Sequence, residues 1–529
     1  MVTRRGLQGV VVLCAALSTA GVLIAQAVEP VDLEAITRIK EEGFERSQVM
    51  DIAWWLTEVH GPRLTNSPQM RAAANWTVGK LTEWGLANVK QEPWGDAFGR
   101  GWSNERTVVH VIKPSPWPVI AYSRAWTPGT SGPVTADAVL APLANDGDFD
   151  KHRGKLKGKI VLAQDARAIP PLFEAPARRL TPENLEEMEV QQVGPRPGGP
   201  GGPGGPGGGG REFSAKRNAF LIAEGVVGVL EPGNGRGDSG SVLVGGGGSR
   251  NAKDPPVPPQ LAVATEHYNR IARLVGRGQP VTLELDIRNT FHDDDLNMFN
   301  IVAEIPGTDR ADEVVMLGAH FDSWHAGTGS VDNASGSAVM LEAIRILKQT
   351  GLRLRRTVRM GLWTGEEQGL IGSRAYVRNH FADPADMKVK SEHAKLAGYF
   401  NMDNGTGQYR GVYLQGNEAV APIFRAWMAP FENLGMTHLT IRNTGGTDHL
   451  AFNAVGLPGF QFVQDPVQYS SRTHHSNLDV YDQLIASDMM KNAVITAAFV
   501  YHTANREQPL PRKPLPKPTP PPRPTTSPQ

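Results

Sequence analysis

The sequence predicts an α/β fold: a mixed, mostly parallel sheet flanked by helices, with a second, small α/β unit inserted into the chain. Three observations predict it. Short continuous apolar runs at 314–319, 358–363 and 396–402 have the look of strands buried on both faces. Between the first two lies a helical pattern, with Met340, Leu341, Ile344 and Leu347 inward, Glu342, Arg345 and Lys348 outward, and a stop near Gly351. Strand, helix and strand at this spacing argue a parallel sheet. A separate set, with a strand at 158–162, a helix at 214–224 and a strand at 225–230, forms the smaller unit.

The elements fall in the following order. Residues 1–27 read as a secretory signal: Arg4 and Arg5 supply a basic start, an apolar run follows from Val10 to Ile24, and Ala25-Gln26-Ala27 is a small-x-small cleavage site. Ser18, Thr19 and Gly21 interrupt a run already short for a membrane span. Residues 28–129 and 289–506 are expected to form the main domain and 130–288 the insert. Ser67-Pro68 starts a helix that carries Ala74, Val78 and Leu81 on one face and stops at Gly85. Residues 194–210, almost all Gly and Pro, read as a disordered surface loop, and the Pro-rich 507–529 as an extended, unpacked tail.

Composition removes several functions. The chain has 529 residues with 54 Lys+Arg against 54 Asp+Glu, which gives no electrostatic reason to bind nucleic acid or an anionic membrane. Its single cysteine, Cys14, lies in the signal and excludes a disulfide scaffold or a Cys-ligated zinc site. The export signal points to a secreted or periplasmic protein. Three glycosylation triplets, at Asn75, Asn333 and Asn404, favour export without N-glycosylation, because the last two fall among the candidate site residues.

The chemistry concentrates between Gly318 and Asp479. His320 and Asp322 follow the first strand, then comes Asp332, then Glu366-Glu367 after the second strand, then Asp403 after the third, then His475 with Asp479 four residues on. The carboxyl ends of parallel strands share one edge, where ligands bind, so these residues can converge. Several carboxylates at one point raise one another's pKa values unless cations neutralise them. Imidazole and carboxylate together are a zinc-type donor set, and two ions sharing a carboxylate form an arrangement used to hydrolyse amides and phosphoesters. In an extended segment one of Glu366 and Glu367 faces the ions and the other is free as a general base.

The segments Gly318-Ala-His-Phe-Asp-Ser-Trp324, Gly329-Ser-Val-Asp-Asn-Ala-Ser-Gly336, Leu362-Trp-Thr-Gly-Glu-Glu-Gln-Gly369 and His474-His-Ser-Asn-Leu-Asp479 resemble the M28 family of zinc exopeptidases, and within it the carboxypeptidase Q branch. His60-Gly-Pro-Arg-Leu64, Gly446-Thr-Asp448 and Gly456-Leu-Pro458 match that group too, and 130–288 is similar to its protease-associated insert. The resemblance implies a zinc exopeptidase fold with two zinc ions per chain. It implies that His320 and Asp403 bind one ion, Glu367 and His475 the other, and Asp332 bridges them. Glu366 is then the general base, taking a proton from the attacking water and returning it to the leaving amine. Asp322 and Asp479 are expected to fix the rings of the ligand histidines. His474 is a neighbour or substrate contact, and Asp448 either orients substrate or caps the following helix.

The expected function is hydrolysis of terminal peptide bonds, as a carboxypeptidase or dipeptidase, with an aminopeptidase on the same site as the alternative. A glutaminyl cyclase-like acyltransferase and a non-catalytic binding protein are the remaining readings. The insert is expected either to restrict access to the cleft or to support a homodimer.

Overall fold

The computed structural model describes residues 29–190, 208–233 and 238–519, so the signal segment and most of the Gly/Pro run lie outside the described residues. The described residues form two eight-stranded sheets with helices against them. In the first sheet, strands run in the order Ala87–Gly95, Met298–Ile305, Arg356–Trp363, Arg310–His320, Leu396–Asn401, Gly459–Gln464, Tyr409–Tyr413 and His438–Thr440. The four inner strands from Arg356–Trp363 to Gly459–Gln464 are mutually parallel, and antiparallel strands flank them.

The inner strands are covered on both faces, which is why they read as continuous apolar runs rather than alternating ones. Val315, Leu317 and Ala319 point into one core with the helices Leu33–Glu45, Ser335–Thr350 and Ala486–Asn505. Val314 and Met316 point into another, with Trp363, Tyr376 and Phe452. The helix Pro68–Glu83 begins as its sequence predicts: Ser67 Oγ accepts from Met70 N at 3.1 Å, with Pro at the first turn.

One predicted face is corrected. Glu342 and Arg345 do not face solvent: they are 0% and 2% exposed, because the N-terminal helix Leu33–Glu45 covers that side of Ser335–Thr350. Arg345 lies 2.7 Å from Glu342 and 2.7 Å from Glu42, so the charges are buried as a closed set. A charge pattern at helical spacing matches either water or a partner helix, and here the partner wins.

The second sheet is built from Trp117–Pro118, Gly101–Lys113, Thr282–His292, Val134–Leu140, Ile160–Leu162, Gly228–Pro232, Gln260–Val263 and Ala121–Ser123. It therefore recruits chain on the N-terminal side of residue 130. The helix expected at 214–224 starts earlier, at Gly208–Ala223.

The tail also departs from expectation in its described part. Leu510 is buried and its N–H donates to Ala397 O at 3.1 Å. Arg512 donates to the carbonyls of His393, Ala394 and Leu396, and Lys513 to that of Gln415. Proline-rich composition forbids helix and sheet ladders, but it leaves an extended strap free to dock by its non-proline side chains. Among the described residues no helix is long and apolar enough to cross a membrane.

Candidate metal centre

The carboxyl ends of the inner strands deliver the site. His320 is the last residue of Arg310–His320, Glu366 and Glu367 lie in the turn after Arg356–Trp363, and Asp403 lies two residues past Leu396–Asn401. Asp332 sits in the turn that leads into Ser335–Thr350. Gly336, in the first turn of that helix, meets the Asn333 side chain and the Met402 carbonyl so closely that a Cβ would fall 2.3 and 2.5 Å from them. Asn333 donates to Met402 O at 2.9 Å and accepts from Gly336 N at 3.0 Å, which ties the Asp332 turn to the Asp403 turn. Asn333 is 0% exposed, so it is a structural link rather than a glycan acceptor.

Asp332 stands at the centre. Its Oδ1 lies 3.3 Å from His320 Nε2, and that same nitrogen lies 3.3 Å from Asp403 Oδ1. Its other oxygen, Oδ2, lies 3.3 Å from His475 Nε2, which is 2.8 Å from Glu367 Oε2. One carboxylate thus faces two histidine–carboxylate pairs, one with each oxygen. His474 stacks on His475 with ring centres 3.7 Å apart, but its Nε2 is 3.9 Å from Asp332 and its side chain is more exposed.

The surrounding groups fix this arrangement, and one of the two expected roles changes. His320 Nδ1 lies 3.0 Å from the main-chain carbonyl of Asp322, which leaves Nε2 turned to the acids. The Asp322 carboxylate accepts from Thr65 Oγ1 at 2.8 Å and from the N–H groups of Glu366 and Glu367 at 3.2 and 3.3 Å, so it shapes the Glu-Glu turn. Asp479 does not hold the His475 ring. Its carboxylate accepts from the N–H groups of Val331 and Asp332 and so positions Asp332.

Asp448 caps nothing: the helix His449–Asn453 that follows it has no side-chain cap. Its carboxylate is fully buried, and burial first, then Asp403 and Asp322, raise its pKa to about 7 against the pull of His320 and Ser373. Tyr469 and Arg63 were missed as site residues. The Tyr469 ring lies 4.9 Å from that of His474, and burial with the Asp332, Asp403, Glu367 and Glu366 charges pushes its hydroxyl well above its ordinary range. Arg63, fully buried, donates to the carbonyls of Phe321, Leu56, Thr328 and Gly329 and so shapes the loop between His320 and Asp332. The His-Gly-Pro-Arg-Leu segment was its only signal in the sequence.

The electrostatics call for cations. Glu366 and Glu367 are raised well above the ordinary carboxylate range, by burial first and then by neighbouring carboxylates. Burial and Asp332 do the same to Asp479. Burial alone would lower the His320 pKa, yet Asp403 and Glu366 push it well up. Buried Asp332 Oδ2, Glu367 Oε1 and Asp403 Oδ1 accept no hydrogen bond from the described residues. Buried carboxylate oxygens of this kind are costly unless something positive completes them. His320, Asp332 and Asp403 offer ligand atoms within 4.8 Å of one another, as do Asp332, His474 and His475. The donor set of imidazole and carboxylate suits zinc.

Known proteins share this frame. Residues 300–500 match the profile of peptidase family M28. Bovine (Bos taurus) carboxypeptidase Q is 30% identical over 260 residues, 49% of this chain and 52% of its own length, so the chain spans about half the length of the curated relatives it matches. A peptidase M28 precursor from Shewanella amazonensis superposes with a TM-score of 0.64 at 23% identity, over 92% of this chain and 98% of that one. A zinc aminopeptidase from Bacillus subtilis superposes with a TM-score of 0.54 at 17% identity, over 87% and 95% of the two chains.

Proposed function

Residues 300–500 match the profile of peptidase family M28, and from that premise we propose that this chain is an exported two-zinc exopeptidase that hydrolyses terminal peptide bonds of peptides or dipeptides. The observation that carries the reading is the position of Asp332, one oxygen toward His320 and Asp403, the other toward His475 and Glu367. His320 and Asp403 would hold one ion, His475 and Glu367 the other, and Asp332 both. His475 is preferred to His474 because it is nearer to Asp332 and alone pairs with Glu367. Ions in these positions would supply Lewis acidity to the scissile carbonyl and to the attacking water.

The chain's own residues do the rest. Glu366, beside Glu367 but with His320, Asp403 and Asp448 as its other charged neighbours, is the base: it takes the water's proton and hands it to the leaving amine. Asp322 holds the Glu366 and Glu367 main chain in place by its two hydrogen bonds, and Asp479 holds Asp332. The buried surroundings keep bulk water from the proton that Glu366 carries. His474, the more exposed of the adjacent histidines, and Asp448, a buried charged neighbour of Glu366, are assigned to the substrate.

The likeness to carboxypeptidase Q favours a carboxypeptidase or dipeptidase, and the likeness to zinc aminopeptidases keeps the other polarity as the second reading. Three peptides decide: one free at both ends, one N-acylated, one C-amidated, each with and without a chelator. Chelator-sensitive cleavage of the acylated but not the amidated peptide is the expected result. The reverse makes the chain an aminopeptidase, and cleavage of the free dipeptide alone makes it a dipeptidase. No cleavage of any overturns the peptidase reading.

A further inference from the structure

The loop 465–477, which carries Tyr469, His474 and His475, is gripped at both ends by connections of the second sheet. At its start, Arg178 N donates to Val467 O at 2.9 Å, and Leu180 N to Asp465 Oδ1 at 2.9 Å. Arg179 lies 2.8 Å from Asp465 and 2.7 Å from Asp488, both buried carboxylates. At its end, the segment between Gly228–Pro232 and Gln260–Val263 lies along it as a short antiparallel ladder. Val244 N donates to His475 O at 2.9 Å, and Asn477 N to Val242 O at 3.2 Å. The Asn477 side chain closes the ladder: its Oδ1 accepts from Val242 N at 2.7 Å and its Nδ2 donates to Gly240 O at 3.2 Å.

His475 needs such a brace. Its φ is +58°, in the left-handed region that non-glycine residues seldom adopt. Strained conformations of this kind persist only where surrounding structure over-determines them. This one turns the ring so that Nε2 meets Asp332 and Glu367. On the His320–Asp403 side the second sheet touches the loop further on, where His325 Nε2 lies 2.7 Å from Ser123 O, while His320 itself belongs to a central strand and hydrogen-bonds the carbonyl of Asp322.

We infer that the second sheet's connections, through Asn477 at one end and Arg179 at the other, are a positioning device for the His475 metal site alone. The insert is then part of the metal centre, and whatever displaces its 240–244 segment loosens one ion and spares the other. Asn477 is a positioning residue: it touches neither substrate nor ion and acts through the His475 main chain.

The inference rests on the two-zinc reading, and its test separates the two. Metal-stripped full-length protein is titrated with zinc, and amide hydrogen exchange is followed over residues 470–480 in the metal-free state. In Asn477→Ala one of the two binding steps is expected to fall roughly 10- to 100-fold, the range seen when groups supporting a metal ligand are removed. The other step stays unchanged, and exchange at the loop accelerates. Asn477→Asp keeps the acceptor for Val242 N–H and restores most of the loss. Arg179→Met repeats the effect from the other end. Equal weakening of both steps, or unchanged exchange and unchanged binding, overturns the inference. If the unaltered protein takes up a single ion, the two-zinc reading falls, and the exchange comparison still decides whether Asn477 holds the loop.

Discussion

Buried charge is handled in opposite ways at the two ends of the first sheet. Away from the carboxyl edge it is paired within the protein. Arg345 meets Glu342 and Glu42, Arg356 meets Glu313 at 2.6 Å, and Arg359 meets Glu304 at 2.5 Å. At the carboxyl edge Asp322, Asp332, Glu366, Asp403, Asp448 and Asp479 are buried, and the Arg63 guanidinium that interacts with Asp479, Asp322 and Asp332 donates its hydrogen bonds to main-chain carbonyls. The first arrangement is finished by folding. The second is finished only by an added positive charge, which is the physical difference between architecture and a metal site.

That contrast can be broken or sharpened by single substitutions. The largest effect belongs to Glu366→Gln, which keeps the shape of the side chain but cannot accept a proton. Turnover should fall by about 10²–10⁴-fold while zinc content stays unchanged, as steady-state kinetics beside metal analysis would report. Retained activity with lost metal would mean that Glu366 and Glu367 exchange roles. Glu342→Ala, at the paired end, leaves Arg345 with Glu42 and the Gln48 N–H without its acceptor, and should cost about 1–3 kcal/mol of stability with no change in kcat/KM of the folded fraction.

Glu367→Gln should change sign with metal. In the stripped protein it removes an acid that burial first, and then Asp332, Asp322 and Asp403, hold from ionising, and it should stabilise. In the zinc-loaded protein it should destabilise, because a ligand is gone. Calorimetry of both forms reads the reversal, and the same sign in both would contradict the contrast drawn above.

The smallest effect lies at the far edge. Burial would raise Glu92, but His380 at 2.6 Å and Lys90 hold it down to about 2, against an ordinary 4.5. Its contribution to stability is fully present above pH 4.5 and is lost as pH falls toward 2. Glu92→Gln should therefore flatten the stability–pH curve only in that acid window.

The parts of the site legible in the sequence are those that depend on local order. His320, the Glu366-Glu367 turn and Asp403 follow apolar runs directly, so a parallel sheet alone brings them to one edge. His475 is different. The strand Gly459–Gln464 ends well before it, and its place depends on contacts with residues 240–244, more than two hundred positions away, so the residues offered it only as a candidate and the resemblance chose it over His474. Asp479 was legible as a supporting acid but not for its partner, because spacing does not say whether a carboxylate faces a ring or a main-chain N–H. Glu342, Arg345 and the docked strap at 507–519 share one cause. Polar or proline-rich patterns carry no mark of what will cover them.

The most direct test of the central claim is a zinc count. Wild-type protein and Asp332→Asn are stripped by chelation, reloaded with zinc, dialysed and measured by mass spectrometry of the metal. The account predicts two zinc ions per wild-type chain and weakened binding of both in Asp332→Asn, since one carboxylate serves both histidine–acid pairs. A wild-type chain that holds one ion or none, or an Asp332→Asn chain that loses only one, would contradict it.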